Sequence, residues 1–365
     1  MTTATSAARL RSRDVLRVAL LVAGVYLALR FLWVARSVFF LAFLGVLFGI
    51  TLSAAVTWLQ RRGVPRGVGA LLLVGAFFAL LAGLGALTAP RITEQWHQLQ
   101  QQLPDALARV EGWFRERQGG VSDLLQPPGD AARGQPPTDI RKTLAQQVDN
   151  LGSNFFAVFT STLSVLGGIL VITFVAAFLA VDPRTYRRGV MHLVPHRARA
   201  KTSEVMDAMG VSLRRWLVAQ LIGMLVIGAI TTIALLLLDV RAAVALGIIA
   251  GILEFVPYFG PILSAIPAIA MGFLDGPEKA LWVALAYLAI QQIEGNLLMP
   301  LLMKEGLGLP PALTILAQAA MALVFGFIGL LIAVPLLGTI MVPVKLLYVQ
   351  DVVGDEVALP GDGSG

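Results

Sequence analysis

Two carboxylates stand inside long apolar runs in the last third of the chain, where ionisable side chains are rare. Glu254 lies in the run 242–273 and Glu294 in the run 279–303. Placing an ionised carboxylate in hydrocarbon costs at least about 2.5–3.5 kcal/mol. Each is therefore expected to face an interior cavity, to find a partner or to stay protonated. For Glu254, a position close enough to the interface to be solvated also remains open.

Helix-breaking residues interrupt the first of these runs. Two prolines four residues apart lack amide donors and crowd the preceding turn, so no straight helix is expected here. Carbonyls freed at membrane depth must face protein or a wet cavity. A broken or re-entrant helix is therefore predicted, either as part of a site or as a mechanical kink without a ligand. The candidate residues are Pro257, Tyr258, Gly260, Pro261 and a hinge at Pro267.

Polar residues also cluster around the second carboxylate. Gln291 and Glu294 are three residues apart, and Gln292 and Asn296 are four apart. Residues at these spacings are neighbours on a helix, so two adjacent stripes of one face become polar. This pattern predicts a hydrated interior surface that ends at a hinge, Pro300. Hydrogen bonding between helices would explain the amides, but it explains the carboxylate poorly.

The last apolar run, 310–347, contains Gln318, with Pro335 as a further hinge candidate. This run is longer than one membrane span. It is predicted to form either a re-entrant hairpin or a long helix that leaves the membrane. Together, the acidic and amide side chains of the C-terminal third are expected to line one water-filled crevice.

The composition indicates the setting of these residues. Residues of the hydrophobic class make up 57% of the 365 and charged residues only 14%, whereas soluble domains carry about 25% charged residues. The chain is therefore predicted to be an all-α polytopic membrane protein with about eight spans of about 20 residues, some broken or re-entrant in the C-terminal half, plus amphipathic extramembrane helices. Intrinsically disordered, nucleic-acid-binding and disulfide-stapled secreted proteins are excluded as classes.

The apolar runs and the basic residues between them predict an organisation with both termini in the cytoplasm. Spans are expected near 15–35, 37–59, 68–89, 155–181, 212–238, 242–273, 279–303 and 310–347. The predicted regions are the N-tail 1–14, three spans in 15–89, an extracytoplasmic amphipathic region 90–154 with a Pro/Gly linker 118–139, the fourth span 155–181, a basic cytoplasmic segment 182–215, a C-terminal core 212–347 and a cytoplasmic tail 348–365.

Signatures of enzymes and cofactors are absent from the sequence. There is no cysteine, no phosphate-binding G-x-x-x-x-G-K-[ST] loop and no H-E-x-x-H zinc motif. The three histidines are scattered over extramembrane stretches. We therefore expect neither an enzyme nor a metal site, and no cofactor.

Four motifs carry a resemblance to a known family. They are F-V-P-Y-F-G-P-I-L-S-A-I-P-A at 255–268, Q-Q-I-E-G-N-L-L-M-P-L-L-M at 291–303, G-L-x-L-P-P at 306–311 and F-G-F-I-G-L-L-I-A-V-P at 325–335. They resemble the autoinducer-2 exporter family, also called PerM-like permeases. The resemblance implies a bacterial inner-membrane permease of about eight spans that exports small molecules. Some members are assigned to exchange of sodium or lithium against protons. The linker 118–139 departs from the family pattern.

Three hypotheses follow from the residues and the resemblance. The first is a secondary-active exporter of small hydrophilic molecules such as autoinducer-2-like signals, with its site between 254–267 and 291–300 and with proton coupling. The second is a Na⁺(Li⁺)/H⁺ antiporter whose carboxylates bind the ion. The third is a membrane scaffold that transports nothing and recruits partners through 90–154 and the basic cytoplasmic segment. The expected partners are the small-molecule cargo, H⁺ or Na⁺, the lipid bilayer and further copies of the chain in a homo-oligomer, but no nucleic acid.

Overall fold

A computed structural model of the chain describes residues 12–79, 162–302 and 309–355, together with the single positions 83, 95, 101, 102, 105, 109 and 112. In these ranges the chain forms helices and turns and contains no strand. The prediction of an all-α polytopic membrane protein is confirmed. Most of the predicted N-tail 1–14, the linker 118–139 and most of the region 90–154 lie outside the described residues.

Ten α-helices follow one another in the described ranges. They are α1 (Ser12–Arg61), α2 (Arg66–Ala79), α3 (Thr162–Val181), α4 (Pro183–His192), α5 (Arg199–Leu237), α6 (Ala243–Leu253), α7 (Phe259–Phe273), α8 (Pro277–Ile293), α9 (Met299–Leu302) and α10 (Pro311–Pro343). A π-helical turn, Glu294–Leu298, joins α8 to α9, and a second π-helix, Val344–Val353, follows α10.

Helix α1 is one continuous helix of 50 residues, and the predicted division into spans 15–35 and 37–59 is wrong at the level of secondary structure. The stretch between them, 30–37, contains two arginines but neither proline nor glycine, so nothing interrupts the backbone hydrogen bonds. At 1.5 Å per residue α1 is about 75 Å long, more than twice the roughly 30 Å of a hydrocarbon core.

The basic segment after α3 is also helical. The chain bends by 88° between α3 and α4. Asp182 caps α4 by accepting a hydrogen bond from the Thr185 amide at 3.2 Å, and Pro183 occupies the first turn. The hydrogen bonds from Thr185 hold the pKa of Asp182 below its usual value. A turn at 193–195 and a short 3-10 helix, His196–Ala198, then join α4 to α5.

Helices α6 and α7 form a re-entrant hairpin. With 11 and 15 residues they are about 17 and 23 Å long, too short to cross the hydrocarbon core. Arg241, just before α6, lies 3.0 Å from Asp275, just after α7. Asp275 also lies 2.9 Å from Lys279, and these partners, Lys279 above all, lower its pKa. Both ends of the hairpin therefore lie at one surface, and the prediction of a broken or re-entrant element is confirmed.

The tip of the hairpin is a strained turn. Tyr258 has φ 66° and ψ −48°, and the Phe259 amide donates to the Pro257 carbonyl at 2.8 Å. This is a γ-turn with positive φ, a rare and strained conformation. Pro261 is tolerated because it lies in the first turn of α7, where no intrahelical donor is required.

The polar helix and the last helix are both distorted. Pro300, in α9, has no amide for the preceding turn, and that turn widens into the π-helix Glu294–Leu298. Helix α10 bends at Gly326, which has φ 66° and ψ −149°. A Cβ added at Gly329 would lie 2.2 Å from the Met321 carbonyl oxygen. These residues would be far apart in a straight helix, so the two halves of α10 pack against each other beside the bend.

A hydrophobic cluster holds the hairpin tip in place. It joins α1, α5, the tip and the second half of α10, with the Trp216 and Phe255 rings 5.8 Å apart. On the side where α5 begins, Lys201 lies 2.9 Å from Asp351, and this contact raises the Lys201 pKa. The C-terminal π-helix therefore returns to the end of α5 opposite the ends of the hairpin.

The hairpin geometry makes a topological prediction that a cysteine-free chain is well suited to test. Single-cysteine variants Asp239→Cys and Glu278→Cys should react with a membrane-impermeant thiol reagent added to the same side of the membrane. Glu204→Cys, near the start of α5, should react only from the other side. Labelling of the first two positions from opposite sides would mean that 242–273 crosses the membrane.

A second prediction concerns the close backbone approach at the hairpin tip. A Cβ at Gly260 would lie 2.0 Å from the Leu253 carbonyl oxygen, whereas one at Gly210 would meet no atom within 4 Å. Gly260→Ala should therefore lower the thermal unfolding temperature in detergent by several degrees, because the backbone must shift. Gly210→Ala, in the interior of α5, should leave it unchanged or raise it. Equal unfolding temperatures for both variants would contradict this packing.

Candidate functional site

Glu254 lies at the hairpin tip, directly after α6, and its side chain is 0% exposed. Its backbone carbonyl accepts a hydrogen bond from the Gln220 side-chain amide of α5. Gln220 is itself fully buried. The first carbonyl freed by the helix break is thus satisfied by a side chain from a neighbouring helix, as a membrane interior requires.

A second glutamine holds the next freed carbonyl. The Gln318 side chain of α10 donates to the Pro257 carbonyl at 3.0 Å, and Gln318 is 0% exposed. The Pro257 carbonyl therefore accepts two hydrogen bonds, one from Gln318 and one within the γ-turn. The break is held from two sides, by α5 and by the first half of α10.

The two predicted carboxylates meet at this point. Glu254 and Glu294 lie close enough for their carboxyl groups to interact, although they are 40 positions apart in the chain. Glu294 is 6% exposed and begins the π-helical turn. Its carboxylate accepts a hydrogen bond from the Gln291 side chain at 2.9 Å. The π-turn and the hairpin tip together bring the two carboxyl groups within range of electrostatic interaction.

Acceptor oxygens outnumber donors in this cluster. Within the described ranges, both carboxyl oxygens of Glu254 and the side-chain oxygens of Gln220 and Gln318 are buried without a hydrogen-bond donor. Two carboxylates are both acceptors, so a hydrogen bond between Glu254 and Glu294 requires a proton on one of them. Such a group can accept hydrogen bonds from a hydroxyl-rich molecule, or it can hold a proton or a cation.

The cluster is enclosed, which corrects the expectation of a water-filled crevice. Glu254 has no exposed surface and Glu294 very little, because the aromatic and aliphatic cluster around Trp216 and Phe255 covers the tip. Gln220, Glu254 and Gln318 are buried in this conformation, whereas Gln291, the hydrogen-bond donor to Glu294, is exposed. Any passage through them requires a movement of the hairpin or of its neighbours.

The structure brings together only some of the predicted site residues. Gln292 and Asn296 are exposed and hydrogen-bonded to each other at 2.9 Å, outside the cluster. Tyr258 is 44% exposed. The remaining candidates form the scaffold of the break or lie within helices; these are Gly260, Pro261, Pro267, Pro300 and Pro335. The bend of α10 lies at Gly326 and not at the predicted hinge Pro335.

Sequence reasoning did not identify Gln220 as part of the site. The residue is a single amide within the apolar sequence W-L-V-A-Q-L-I-G-M of α5. An isolated amide in a membrane helix was the available signal, since such residues face protein partners. Its partner, the carbonyl of Glu254, depends on the tertiary arrangement.

Comparison with known proteins assigns the chain to a family. Residues 18–348 match the family model of the AI-2E family transporters. YueF of Bacillus subtilis, a candidate transport protein, is 26% identical over 81% of this chain and 83% of its own length. The AI-2 transport protein TqsA of Escherichia coli is 26% identical over 83% of both chains.

A further relative is YrrI of Bacillus subtilis, also a candidate transport protein, which is 24% identical over 87% of this chain and 90% of its own length. The family match covers the hairpin, the polar helix and α10, the elements that carry the buried cluster. The chain belongs to the AI-2E transporter family and is an integral membrane transport protein.

Proposed function

We propose that the protein is a secondary-active transporter that exports small hydrophilic molecules, such as autoinducer-2-like signals, through the cluster at the hairpin tip. The observation that carries this proposal is the group of buried acceptor oxygens on Glu254, Gln220 and Gln318. Buried polar groups without partners are costly. A site that binds and releases a polar molecule is one reason to keep them.

The chemistry of these oxygens favours a cargo that donates hydrogen bonds. Carboxylate and amide oxygens accept from hydroxyl groups, so a neutral polyhydroxylated molecule suits the cluster. TqsA is named an AI-2 transport protein, which supports the same class of cargo for this chain. Export is the direction that the family resemblance implies.

The carboxyl pair supports coupling to an ion. Two carboxylates in contact in a buried site cannot both be ionised unless a cation lies between them. The pair therefore holds either a proton or a cation, and the exchange of this ion can accompany movement of the cargo. Proton coupling is the version we propose.

Access to an enclosed cluster requires a moving part. The hairpin tip contains a strained turn at Tyr258, and α10 bends at Gly326, eight residues after Gln318. Strained and glycine-containing segments are common where elements move. We propose that breaking the hydrogen bonds from Gln220 and Gln318 to the tip opens the cluster to one side at a time.

The setting proposed for this transporter is the bacterial inner membrane, with both termini in the cytoplasm. The basic residues of 182–215 and of the connection after α1 support this orientation through the positive-inside rule. A homo-oligomer remains a prediction from the small residues on helix faces.

A Na⁺(Li⁺)/H⁺ antiporter is the second candidate, because the same oxygens could coordinate a monovalent cation. Sodium-dependent proton movement in inverted vesicles, lost in Glu254→Gln, would favour it. A scaffold that transports nothing instead predicts that deletion of 94–150 abolishes function while substitutions at Glu254 and Glu294 have no effect.

The carboxyl pair yields the main functional prediction. In vesicles containing the purified protein, Glu254→Gln and Glu294→Gln should each lower cargo flux driven by a pH gradient by about tenfold or more, since an amide cannot exchange the proton and coupling energies are typically of this size. Asn296→Ala, on the exposed side of the same helical segment, should retain wild-type flux.

Two outcomes would change this account. Wild-type flux in both glutamine variants would remove the pair from the mechanism. If wild-type protein moved neither sodium nor an organic cargo in response to the gradient, the coupled transporter would be rejected.

A further inference from the structure

A second polar pocket lies where the C-terminal end of α1 meets α5. It has a volume of about 310 Å³. Two arginines line it, Arg61 from α1 and Arg214 from α5, together with Ser53, Thr57 and Trp58 of α1. No acidic residue is among its lining residues.

The positive charge of this pocket is uncompensated. In the described ranges neither Arg61 nor Arg214 forms a salt bridge or a hydrogen bond. A third guanidinium adjoins them, because Arg66 donates to the Ser53 hydroxyl at 3.0 Å and to the Ala180 carbonyl at 3.0 Å. Three like charges close together repel one another, so the pocket favours an anion.

The arrangement of donors suits phosphate in particular. Guanidinium groups present paired N–H donors that match phosphate oxygens. The Ser53 oxygen already accepts from Arg66, which leaves its own O–H free to donate to a ligand. Thr57 donates to the Ser53 carbonyl at 2.7 Å, which holds that side chain at the pocket wall.

The position of the pocket indicates a lipid as the source of the phosphate. Val46 is 40% exposed and lies one helical turn before Ile50, which lines the pocket. This pair forms an apolar stripe on α1 that leads from the membrane helix to the arginines. Trp58 is 53% exposed, as is typical of tryptophan at a membrane interface. A lipid whose headgroup binds in the pocket would have its acyl chains along the apolar stripe of α1.

We propose that this pocket binds the headgroup phosphate of an anionic phospholipid from the surrounding leaflet, with Arg61 and Arg214 as the two clamping residues. Basic pockets between membrane helices recognise anionic headgroups in this way. Because α5 also supplies Gln220 to the hairpin tip, the bound lipid would brace the helix on which the tip depends. The lipid site does not require that the proposed cargo or coupling be correct.

The test uses the purified full-length protein and native mass spectrometry with phosphatidylglycerol, phosphatidylcholine and inorganic phosphate as probes. Wild-type protein should retain phosphatidylglycerol at least about tenfold more tightly than phosphatidylcholine, one power of ten being a modest specific preference. The double variant Arg61→Gln/Arg214→Gln should lose this preference. Arg62→Gln is the matched control, since the Arg62 guanidinium lies 3.9 Å from the centre of the Trp58 ring but Arg62 does not line the pocket.

A charge-retaining variant distinguishes loss of lipid binding from a folding defect in the double variant. Arg61→Lys/Arg214→Lys keeps both charges but loses the paired donors, so its preference for phosphatidylglycerol should lie between those of the wild type and the glutamine variant. Equal retention of both lipids by wild-type protein, or an unchanged preference in the glutamine variant, would overturn the proposal. Displacement of phosphatidylglycerol by millimolar inorganic phosphate would assign the pocket to free phosphate instead.

Discussion

The backbone carbonyls freed by the broken helix must find hydrogen-bond donors without water, and this constraint shapes the rest of the structure. Gln220 and Gln318 supply those donors to the carbonyls of Glu254 and Pro257. Each glutamine comes from a different helix, so α5 and α10 must both pack against the tip. The core cluster around Trp216 packs α5 and the second half of α10 against the tip, and α10 bends at Gly326.

A tip held in this way brings an acidic pair into the interior of the protein. Glu254 and Glu294 meet only because the hairpin turns back and the π-turn presents Glu294 towards it. The same donors that stabilise the break leave acceptor oxygens unsatisfied. The same group of side chains therefore stabilises the closed conformation and offers acceptor oxygens to a ligand that donates hydrogen bonds. A transport cycle needs both properties.

Much of this site could be predicted from residue types, and the rest depended on tertiary contacts. Prolines at 257 and 261 indicate the break, and Gln318 and Glu294 stand out in apolar runs. The hairpin could not be distinguished from a span, because the deciding contact between Arg241 and Asp275 joins distant positions. The sequence predicts two spans where the structure has the single helix α1, because arginines interrupt the apolar runs. Arginine does not interrupt an α-helix. The burial of Glu254 and Glu294 depends on contacts between helices, which the spacing of apolar residues in the sequence does not predict.

The central claim is that Glu254 and Glu294 share one ion, and infrared spectroscopy tests it directly. The purified protein would be measured at neutral pH in a buffer whose only cation is a bulky organic amine, so that no metal ion can replace the proton. The account predicts a carboxylic acid carbonyl band in the wild type that is shifted in frequency or lost in Glu254→Gln and in Glu294→Gln. A wild-type spectrum in which both side chains contribute only ionised carboxylate bands would contradict it.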